Sequence, residues 1–385
     1  MRRIFVAITL ICLSSWAWEA VAPLPSPRYG GALVAVGSKL YYIGGSAVGG
    51  VKTRTMFIYD VAADSWSVGE SMPTARHRFG AAECLGRIYV FGGWGEGGQL
   101  LKSAEVYDPI TRQWSPIETL PSPRASVFAG GIYYGLGVHC IGGWTGTSSL
   151  RDNLQFQPSS GHWTARAPMP TARCEGAAVS TGAYIYCVGG TADGILPLDI
   201  NETYDYHGDR WLTFVPMPTP RAGCAAGWTG ELAVLGGLML DGRPTSRYEI
   251  FDPNRSLWRE GQPLPESLKY LSAATAKAGH ESYLFVAGGI DRNEQPSNRV
   301  YRALYAVGLA DETGQRLNCP LKTLFSRPGE VLAVTDSPAD FFSVAGRLVA
   351  RSTEPSRPRC PSLSPGTYFI RFKSGTLARL IVINR

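Results

Sequence analysis

A pair of adjacent glycines recurs six times along the chain, and each pair comes directly after a short apolar run. The second glycines of these pairs lie 47 to 52 residues apart, at Gly45, Gly93, Gly143, Gly190, Gly237 and Gly289. Adjacent glycines allow a sharp turn and a close approach of two backbones, because neither residue carries a Cβ atom. A fixed period near 50 residues, with a strand-like run before every glycine pair, predicts a chain built from repeated β-sheet units.

Aromatic residues and an arginine hold fixed positions after each glycine pair. An aromatic residue comes 13 or 14 positions after the second glycine, at Tyr59, Tyr107, Phe156, Tyr204 and Phe251. A tryptophan comes 20 or 21 positions after it, at Trp66, Trp114, Trp163, Trp211 and Trp258. An arginine follows ten residues later, at Arg76, Arg124, Arg173 and Arg221, with Leu268 in that place after Trp258. We expect the aromatic rings to fill the wedge between neighbouring sheets, which is worth roughly 2–3 kcal/mol for each buried side chain.

This pattern resembles the kelch repeat, whose units are the four-stranded blades of a β-propeller. The resemblance covers about residues 18–310 and implies an all-β, six-bladed kelch-type propeller. The sixth unit ends without a tryptophan, because Ala310 stands where one is due. At the start of the chain, Trp18 lies ten residues before Arg28, and "WEAVAPLPSPR" matches "WSPIETLPSPR" (114–124) at the tryptophan and at LPSPR. We therefore expect an N-terminal outer strand to close the ring, which removes an exposed sheet edge.

Residues 1–17 have the three parts of a secretory signal peptide. Arg2 and Arg3 precede the apolar run from Ile4 to Leu13, and Ser15-Trp16-Ala17 forms a small-x-small cleavage pattern. Ala20-Val21-Ala22 offers a rival cleavage site, but cleavage there would discard Trp18. The apolar run is too short to span a bilayer, and we expect no transmembrane segment. The sequence thus predicts an exported protein.

Net charge and cysteine spacing bear on two possible functions, nucleic-acid binding and metal binding. The formal net charge is +6, but residues 311–385 alone hold 11 basic and 6 acidic residues, whereas residues 18–310 hold 24 and 25. The repeat region is therefore not a basic nucleic-acid binder. Seven cysteines follow the signal peptide and none forms a CxxC motif, so we expect buried core thiols and no metal site. Cys319 and Cys360 stand alone in the C-terminal part and could form a bridge.

The repeat stops after Ala310, and a different module follows. Residues 311–320 are typical of a linker, and residues 321–385 resemble the C-terminal sorting domain of cargo of the bacterial type IX secretion system, through "SVAGRLV", "LSPGTYFIRF" and "ARLIVI". That resemblance implies a small immunoglobulin-like β-sandwich that engages the secretion machinery and places the protein outside the cell or at the cell surface of a bacterium. The last two strands are expected at 367–373 and 377–383, joined by a Ser374-Gly375 turn. The alternative is a β-sandwich of the same type without a sorting role.

The candidate ligand site lies at the mouth of the propeller channel. The start of each inner strand and the end of the next strand share this face, which brings an arginine ring and the residues after each glycine pair together. The predicted ligand-binding residues are Arg28, Arg76, Arg124, Arg173, Arg221, Trp94 and Trp144. Guanidinium groups grip carboxylates and indole faces stack on sugar rings, so an anionic peptide or sugar would fit. The alternative is that each arginine hydrogen-bonds loop carbonyls as part of the repeat, with Glu175 neutralising part of the ring.

Two functions follow from this fold. The first is an exported binding protein for an acidic peptide, protein or glycan, since eukaryotic kelch adaptors bind acidic peptides at this face. The alternative is a carbohydrate-active enzyme similar to the sialic-acid mutarotase, also a kelch propeller, using the arginine ring and an acid such as Glu175. The sequence identifies no catalytic residue and no cofactor; the five histidines do not converge on the axis as a copper site would need, and no nucleophile or phosphate-loop motif occurs.

Overall fold

A computed structural model describes residues 18–132, 137–182, 184–279 and 281–305 with their side chains, and the backbone of short strands beyond them. Backbone contacts divide the chain into two compact units. The larger unit comprises Trp18–Gly279 and Tyr283–Ala303, and the smaller one includes Leu304–Arg385. The predicted bridge between Cys319 and Cys360 lies outside the described residues.

The larger unit consists of six four-stranded antiparallel sheets, the blades. The strands of blades one to three are β2 Ala32–Val36, β3 Lys39–Ile43, β4 Met56–Asp60, β5 Ser65–Gly69, β6 Gly80–Cys84, β7 Arg87–Phe91, β8 Ala104–Asp108, β9 Gln113–Ile117, β10 Phe128–Ile132, β11 Gly137–Ile141, β12 Asn153–Gln157 and β13 His162–Arg166. Those of blades four to six are β14 Ala177–Thr181, β15 Tyr184–Val188, β16 Asn201–Asp205, β17 Arg210–Thr213, β18 Ala225–Trp228, β19 Leu232–Leu235, β20 Tyr248–Asp252, β21 Leu257–Glu260, β22 Ser272–Ala278, β23 Glu281–Ala287, β24 Val300–Val307 and β1 Glu19–Val21. A single 3-10 turn, Val48–Gly50, is the only helical element of the described residues.

The strand order makes five of the blades simple meanders and completes the sixth with the N-terminal strand. Five sheets run in sequence order, and the sixth has the order β22-β23-β24-β1, with Glu19 opposite Arg302 and Val21 opposite Val300. The first strand of every blade contacts the first strands of both neighbouring blades, so these six strands surround a common axis. The predicted all-β, six-bladed propeller is confirmed.

The glycine pairs form sharp turns in which two backbone segments come close together, as the sequence predicted. Both glycines of each pair have a positive φ, for example 58° at Gly44 and 86° at Gly45. A Cβ atom on Gly45 would lie 2.8 Å from the carbonyl oxygen of Tyr29, at the start of the same blade. The pair therefore ends the second strand of the blade tightly against the segment that enters the first strand.

The hydrophobic core is divided into layers between neighbouring blades. Tyr42 of blade one packs in one cluster with Phe285 of blade six, and Tyr41 of blade one packs in another with Phe79 and Tyr107 of blade two. The predicted buried thiols are also present: Cys84, Cys140, Cys174, Cys187 and Cys224 are buried and form no disulfide. Burial of these apolar faces between blades is the main favourable term for such a fold.

The outer-strand tryptophans link each blade to the preceding one. Each indole N–H donates a hydrogen bond of 2.8–2.9 Å to a carbonyl of the chain leaving that blade. The pairs are Trp18–Gln262, Trp66–Ala22, Trp114–Glu70, Trp163–Glu118, Trp211–Ala167 and Trp258–Val215. These tryptophans are half-buried, whereas the aromatic residues beneath them, such as Tyr59 and Tyr107, are fully buried. The inner aromatic residues thus fill the wedge as expected, and the tryptophans seal its outer end.

The smaller unit contains a two-stranded pair and a four-stranded antiparallel sheet. The pair is β25 Leu309–Ala310 with β26 Arg316–Leu317. The sheet has the order β28-β27-β29-β30, with strands β27 Ala339–Ser343, β28 Leu348–Ser352, β29 Gly366–Phe372 and β30 Leu377–Val382. The last two strands coincide closely with those expected from the sequence, and Thr367 pairs with Ile381. The immunoglobulin-like β-sandwich, which needs two sheets packed face to face, stays a prediction.

Candidate functional site: the channel mouth

The repeat arginines lie inside the blades. Four of them, Arg76, Arg124, Arg173 and Arg221, are at most 1% exposed, and Arg28 is 7% exposed. In blade two, Arg76 Nη1 donates to the carbonyl oxygens of Gly92 (2.8 Å) and Ser103 (3.0 Å), and Nη2 donates to Glu105 Oε1 (2.8 Å). The side chain therefore ties the glycine turn to the third strand of its own blade.

The same buried ion pair recurs in other blades. Arg173 pairs with Glu202 at 2.9 Å and Arg221 with Glu249 at 2.7 Å, and all four side chains are at most 3% exposed. A threonine two residues before each of these arginines donates to the same glutamate, as Thr171 does to Glu202 at 2.8 Å. Desolvation lowers the pKa of Arg173 below its usual value, and the nearby Cys187 and Glu202 oppose that shift. These arginines and glutamates thus form a repeated internal clamp.

Blades one and three carry variants of the clamp. Arg124 pairs with Asp152 at 2.7 Å, and that aspartate is 41% exposed. Arg28 donates to the carbonyl of Pro27 and to Thr55 Oγ1 (3.3 Å) and has no acidic partner among the described residues. Its guanidinium lies 5.6 Å from the ring centroid of Phe57, which occupies the repeat position that Glu105 has in blade two. The structure therefore favours the scaffold role that the sequence left open for these arginines, and their direct contact with a ligand stays a prediction.

The axis is surrounded by the residues that come two positions after the repeat arginine or its equivalent. All six have a left-handed backbone, with φ between 48° and 61°: Gly30, Arg78, Ser126, Glu175, Gly223 and Tyr270. Each backbone N–H donates to the carbonyl of the corresponding residue in the preceding blade, over 2.6–3.0 Å, and Gly30 donates to Tyr270 to complete the circle. This axial ring of six hydrogen bonds joins every blade to both of its neighbours.

Three side chains of the axial ring meet across the axis. Arg78 Nη1 lies 2.6 Å from Glu175 Oε1, and the Arg78 guanidinium carbon lies 3.9 Å from the centroid of the Tyr270 ring. The Tyr270 hydroxyl donates to Glu175 Oε2 at 3.1 Å. Arg78 and Glu175 retain 26% and 15% exposure, so this axial cluster is reached by solvent. Desolvation and the neighbouring carboxylate raise the pKa of Tyr270 to about 12, which keeps the phenol neutral.

The predicted tryptophans lie around this cluster. Trp94 and Trp144 are half-buried, and each pairs by backbone bridging with the residue after the repeat arginine, namely His77 and Ala125. Tyr29 and His77 add two more rings, with centroids 6.2 Å apart. His77 Nδ1 lies 3.0 Å from Ser46 Oγ, and burial together with the Arg78 charge lowers the pKa of His77 to about 3. The imidazole is therefore neutral at physiological pH.

Exposed apolar side chains occur at the same end of the blades as the glycine pairs. They lie in the loops between the second and third strands of blades one, four and five, which start at the glycine pairs. Val48, Val51, Ile195, Leu196 and Leu240 are 57–75% exposed. We call these five residues the apolar rim. Exposed apolar side chains grouped around a polar centre are typical of interaction surfaces.

Trp94, Trp144 and Glu175 were named from the sequence, whereas Arg78 and Tyr270 were not predicted. A signal was available, because two of the six equivalent positions are glycines, Gly30 and Gly223, as a left-handed backbone favours. The histidines do not gather at the axis: His139 is buried in β11, bonded to Asn153 Oδ1 at 2.8 Å. Desolvation lowers its pKa to about 4. Among the described residues, no group of histidine, cysteine, aspartate and glutamate is arranged to hold a metal ion.

Comparison with known proteins agrees with the geometry. The model of the KLHDC2/KLHL20/DRC7 Kelch-repeats domain matches residues 4–190. The protein carries a kelch-repeat domain. The solved structure of YjhT superposes with a TM-score of 0.63 and 16% sequence identity, over 76% of this chain and 97% of that one, which shows the shared fold.

The similar curated proteins are longer and match in part. Kelch-like protein 35 of Mus musculus is 29% identical over 42% of this chain and 26% of its own length. Kelch repeat and BTB domain-containing protein 12 of Danio rerio is 30% identical over 35% of this chain and 25% of its own. Alpha-scruin of Limulus polyphemus is 26% identical over 49% and 22%. The chain thus spans about a quarter of the length of these relatives. Among the described residues there is no helix of the length and hydropathy that crossing a bilayer requires.

Proposed function

We propose that this protein is an exported kelch-propeller binding protein whose channel mouth takes an anionic peptide or sugar. The observation that supports this most is Arg78, a partly exposed guanidinium on the axis. Trp94 and Trp144 form backbone bridges with His77 and Ala125, which adjoin the axial ring, and the apolar rim lies in loops that start at the glycine pairs. Guanidinium groups bind carboxylates and phosphates through two parallel hydrogen bonds, and an indole offers a flat face for stacking.

Arg78 differs from the repeat arginines in what its guanidinium contacts. The clamp arginines use several donors on acceptors of their own blade and have almost no exposed surface, as Arg76 shows. Arg78 donates a hydrogen bond to Glu175 of another blade and keeps about a quarter of its side-chain surface exposed. A ligand can therefore approach Arg78 without taking the clamp apart, and that makes the axis the centre of the proposed site.

Export and surface localisation form the second part of the proposal. The signal-like residues 1–17 precede Trp18, whose indole bonds Gln262, and β1 pairs with β24. These contacts support cleavage after Ala17, with the N-terminal strand closing the sixth blade. The tail from residue 311, with a linker to residue 320 and a sorting or anchoring domain over 321–385, would deliver the protein to the outside or the surface of a bacterial cell.

The binding proposal is tested with a glycan and peptide array probed with the purified mature chain. Arg78→Gln and Trp94→Ala should each lose binding to an anionic hit without a large change in thermal midpoint. The matched control is Arg87→Gln, because Arg87 is likewise paired with a carboxylate (Asp108, 3.0 Å) but is 53% exposed and lies at the start of β7, at the opposite end of that strand from the glycine pair. Equal binding by all three variants would contradict a site centred on Arg78.

A carbohydrate-active enzyme similar to the sialic-acid mutarotase is the second candidate. The specific support is that a cation, a carboxylate and a neutral imidazole lie around one axis, at Arg78, Glu175 and His77. A carboxylate and an imidazole can exchange protons with a sugar hydroxyl, provided that they lie within hydrogen-bond reach of it. Catalysed anomer exchange of an acidic sugar, followed by NMR, would favour this candidate, and binding without exchange would favour the binding protein.

A further inference from the structure

The axial ring alternates small and large residues. Blades one, three and five contribute Gly30, Ser126 and Gly223, whereas blades two, four and six contribute the long side chains of the axial cluster. A Cβ atom on Gly223 would lie 2.7 Å from Cε1 of Tyr270, and one on Gly30 would lie 3.3 Å from Cγ of Arg78. The small residues therefore leave the room in which three side chains from alternate blades can meet.

Two contacts fix the orientation of the Arg78 guanidinium. The Tyr270 ring covers one face of the guanidinium, with its centroid 3.9 Å from the guanidinium carbon, and Glu175 Oε1 accepts a hydrogen bond from Nη1 at 2.6 Å. Glu175 is held in turn by the Tyr270 hydroxyl, so each member of the cluster contacts both others. Arginine has five N–H donors in a planar fork; because Nη1 donates to Glu175 and Nε is buried, the Nη groups supply the donors that remain for a ligand.

We propose that Glu175 and Tyr270 are positioning residues, which hold Arg78 ready for an anionic group that enters from the mouth. The inference rests on the proposed function and adds to it the residues that set the affinity. A long free side chain loses rotamer freedom when a ligand fixes it, and a side chain that is already fixed avoids this cost. Glu175 thus assists binding and does not compete for Arg78.

The test uses the full mature chain labelled at arginine and three variants. Glu175→Gln removes the charge partner, Tyr270→Phe keeps the ring face but removes the hydroxyl, and Ser126→Ala is the control in the same axial ring. NMR order parameters of the Arg78 side chain measure its mobility without any ligand. Titration with inorganic phosphate, followed at the same signal, measures affinity for an anion.

We expect Glu175→Gln to lower the Arg78 order parameter and to weaken phosphate binding by about three- to tenfold, which is the cost of ordering one long side chain. Tyr270→Phe should give a smaller change in the same direction, and Ser126→Ala should give none. Tighter phosphate binding by Glu175→Gln, or an unchanged order parameter, would overturn the inference. If phosphate fails to bind the unaltered protein, the anionic ligand of the proposed function is wrong, and the order parameters alone decide the positioning role.

Discussion

Replacing Arg76 by alanine should destabilise the propeller strongly, because the residue belongs to a buried clamp. The guanidinium has no exposed surface and donates to Gly92, Ser103 and Glu105. Its removal leaves Glu105, which is 5% exposed, as a buried carboxylate without its counter-ion. Breaking a buried pair from one side costs about 3–5 kcal/mol of unfolding free energy. At roughly 2–4 °C per kcal/mol for a large domain, the thermal midpoint should fall by about 10 °C.

Three variants separate the clamp from other effects in chemical denaturation. Arg76→Ala alone should show the full loss of unfolding free energy. The double variant with Glu105→Gln should recover part of that free energy, because the unpaired charge is then removed. Arg87→Ala breaks a pair whose arginine is 53% exposed and should cost about 0–1 kcal/mol. The reasoning is refuted if Arg76→Ala lies within 1 kcal/mol of the unaltered protein and abolishes ligand binding, since Arg76 would then belong to the site.

The remaining predictions concern closure, the tail and the mouth. Trp18→Ala should lower the free energy of unfolding by about 2–3 kcal/mol, because roughly 100 Å² of aromatic burial and the indole hydrogen bond to Gln262 are lost. An unchanged denaturation midpoint, measured on a chain that starts at Trp18, would count against closure by this residue. Deleting 311–385 should leave the propeller folded and exported but absent from the cell surface, and surface display of the truncated chain in cell fractionation would show that the tail is no sorting signal. Trp94→Ala should weaken ligand binding by about 1–3 kcal/mol, by analogy with base–aromatic stacking. Binding of an anionic ligand should weaken with added salt, because charges exposed as Arg78 is are screened over about 8–10 Å.

The fold could be predicted from the sequence because its signals are periodic. The glycine pairs, the buried aromatic residues and the tryptophans repeat with the blade, and each has a local physical cause, such as the 2.8 Å approach of Gly45 to Tyr29. The buried thiols followed from composition alone. The match of residues 18–28 to 114–124 predicts the closure of blade six by the N-terminal strand, and in the structure β1 pairs with β24.

The site was harder to predict because position near the axis does not fix where a side chain points. Arg76 and Arg78 are two residues apart, and only the left-handed backbone at Arg78 (φ 48°) separates a clamp residue from an axial one. Large side chains disfavour that conformation, so the sequence indicates it only at the equivalent positions Gly30 and Gly223 and not at Arg78 or Tyr270. The glutamates that bind the clamp arginines come 28 or 29 residues later, on the third strand of the blade, and their pairing appears only when the blade is folded.

The axial ring has a topological consequence, since it has neither a first nor a last member. Every blade donates one hydrogen bond to its predecessor and accepts one from its successor, including across the join between Gly30 and Tyr270. The hydrogen bonds of the ring are therefore the same in every blade, wherever the polypeptide begins. In blade six the outer strand is already a separate piece of chain, attached through Glu19 opposite Arg302. In a circular permutant, the present ends of the propeller would be joined and new ends would be opened in the turn between the last two strands of another blade. The outer strand of that blade would then be a separate piece of chain, as it is now in blade six, and the axial ring would keep all six of its hydrogen bonds.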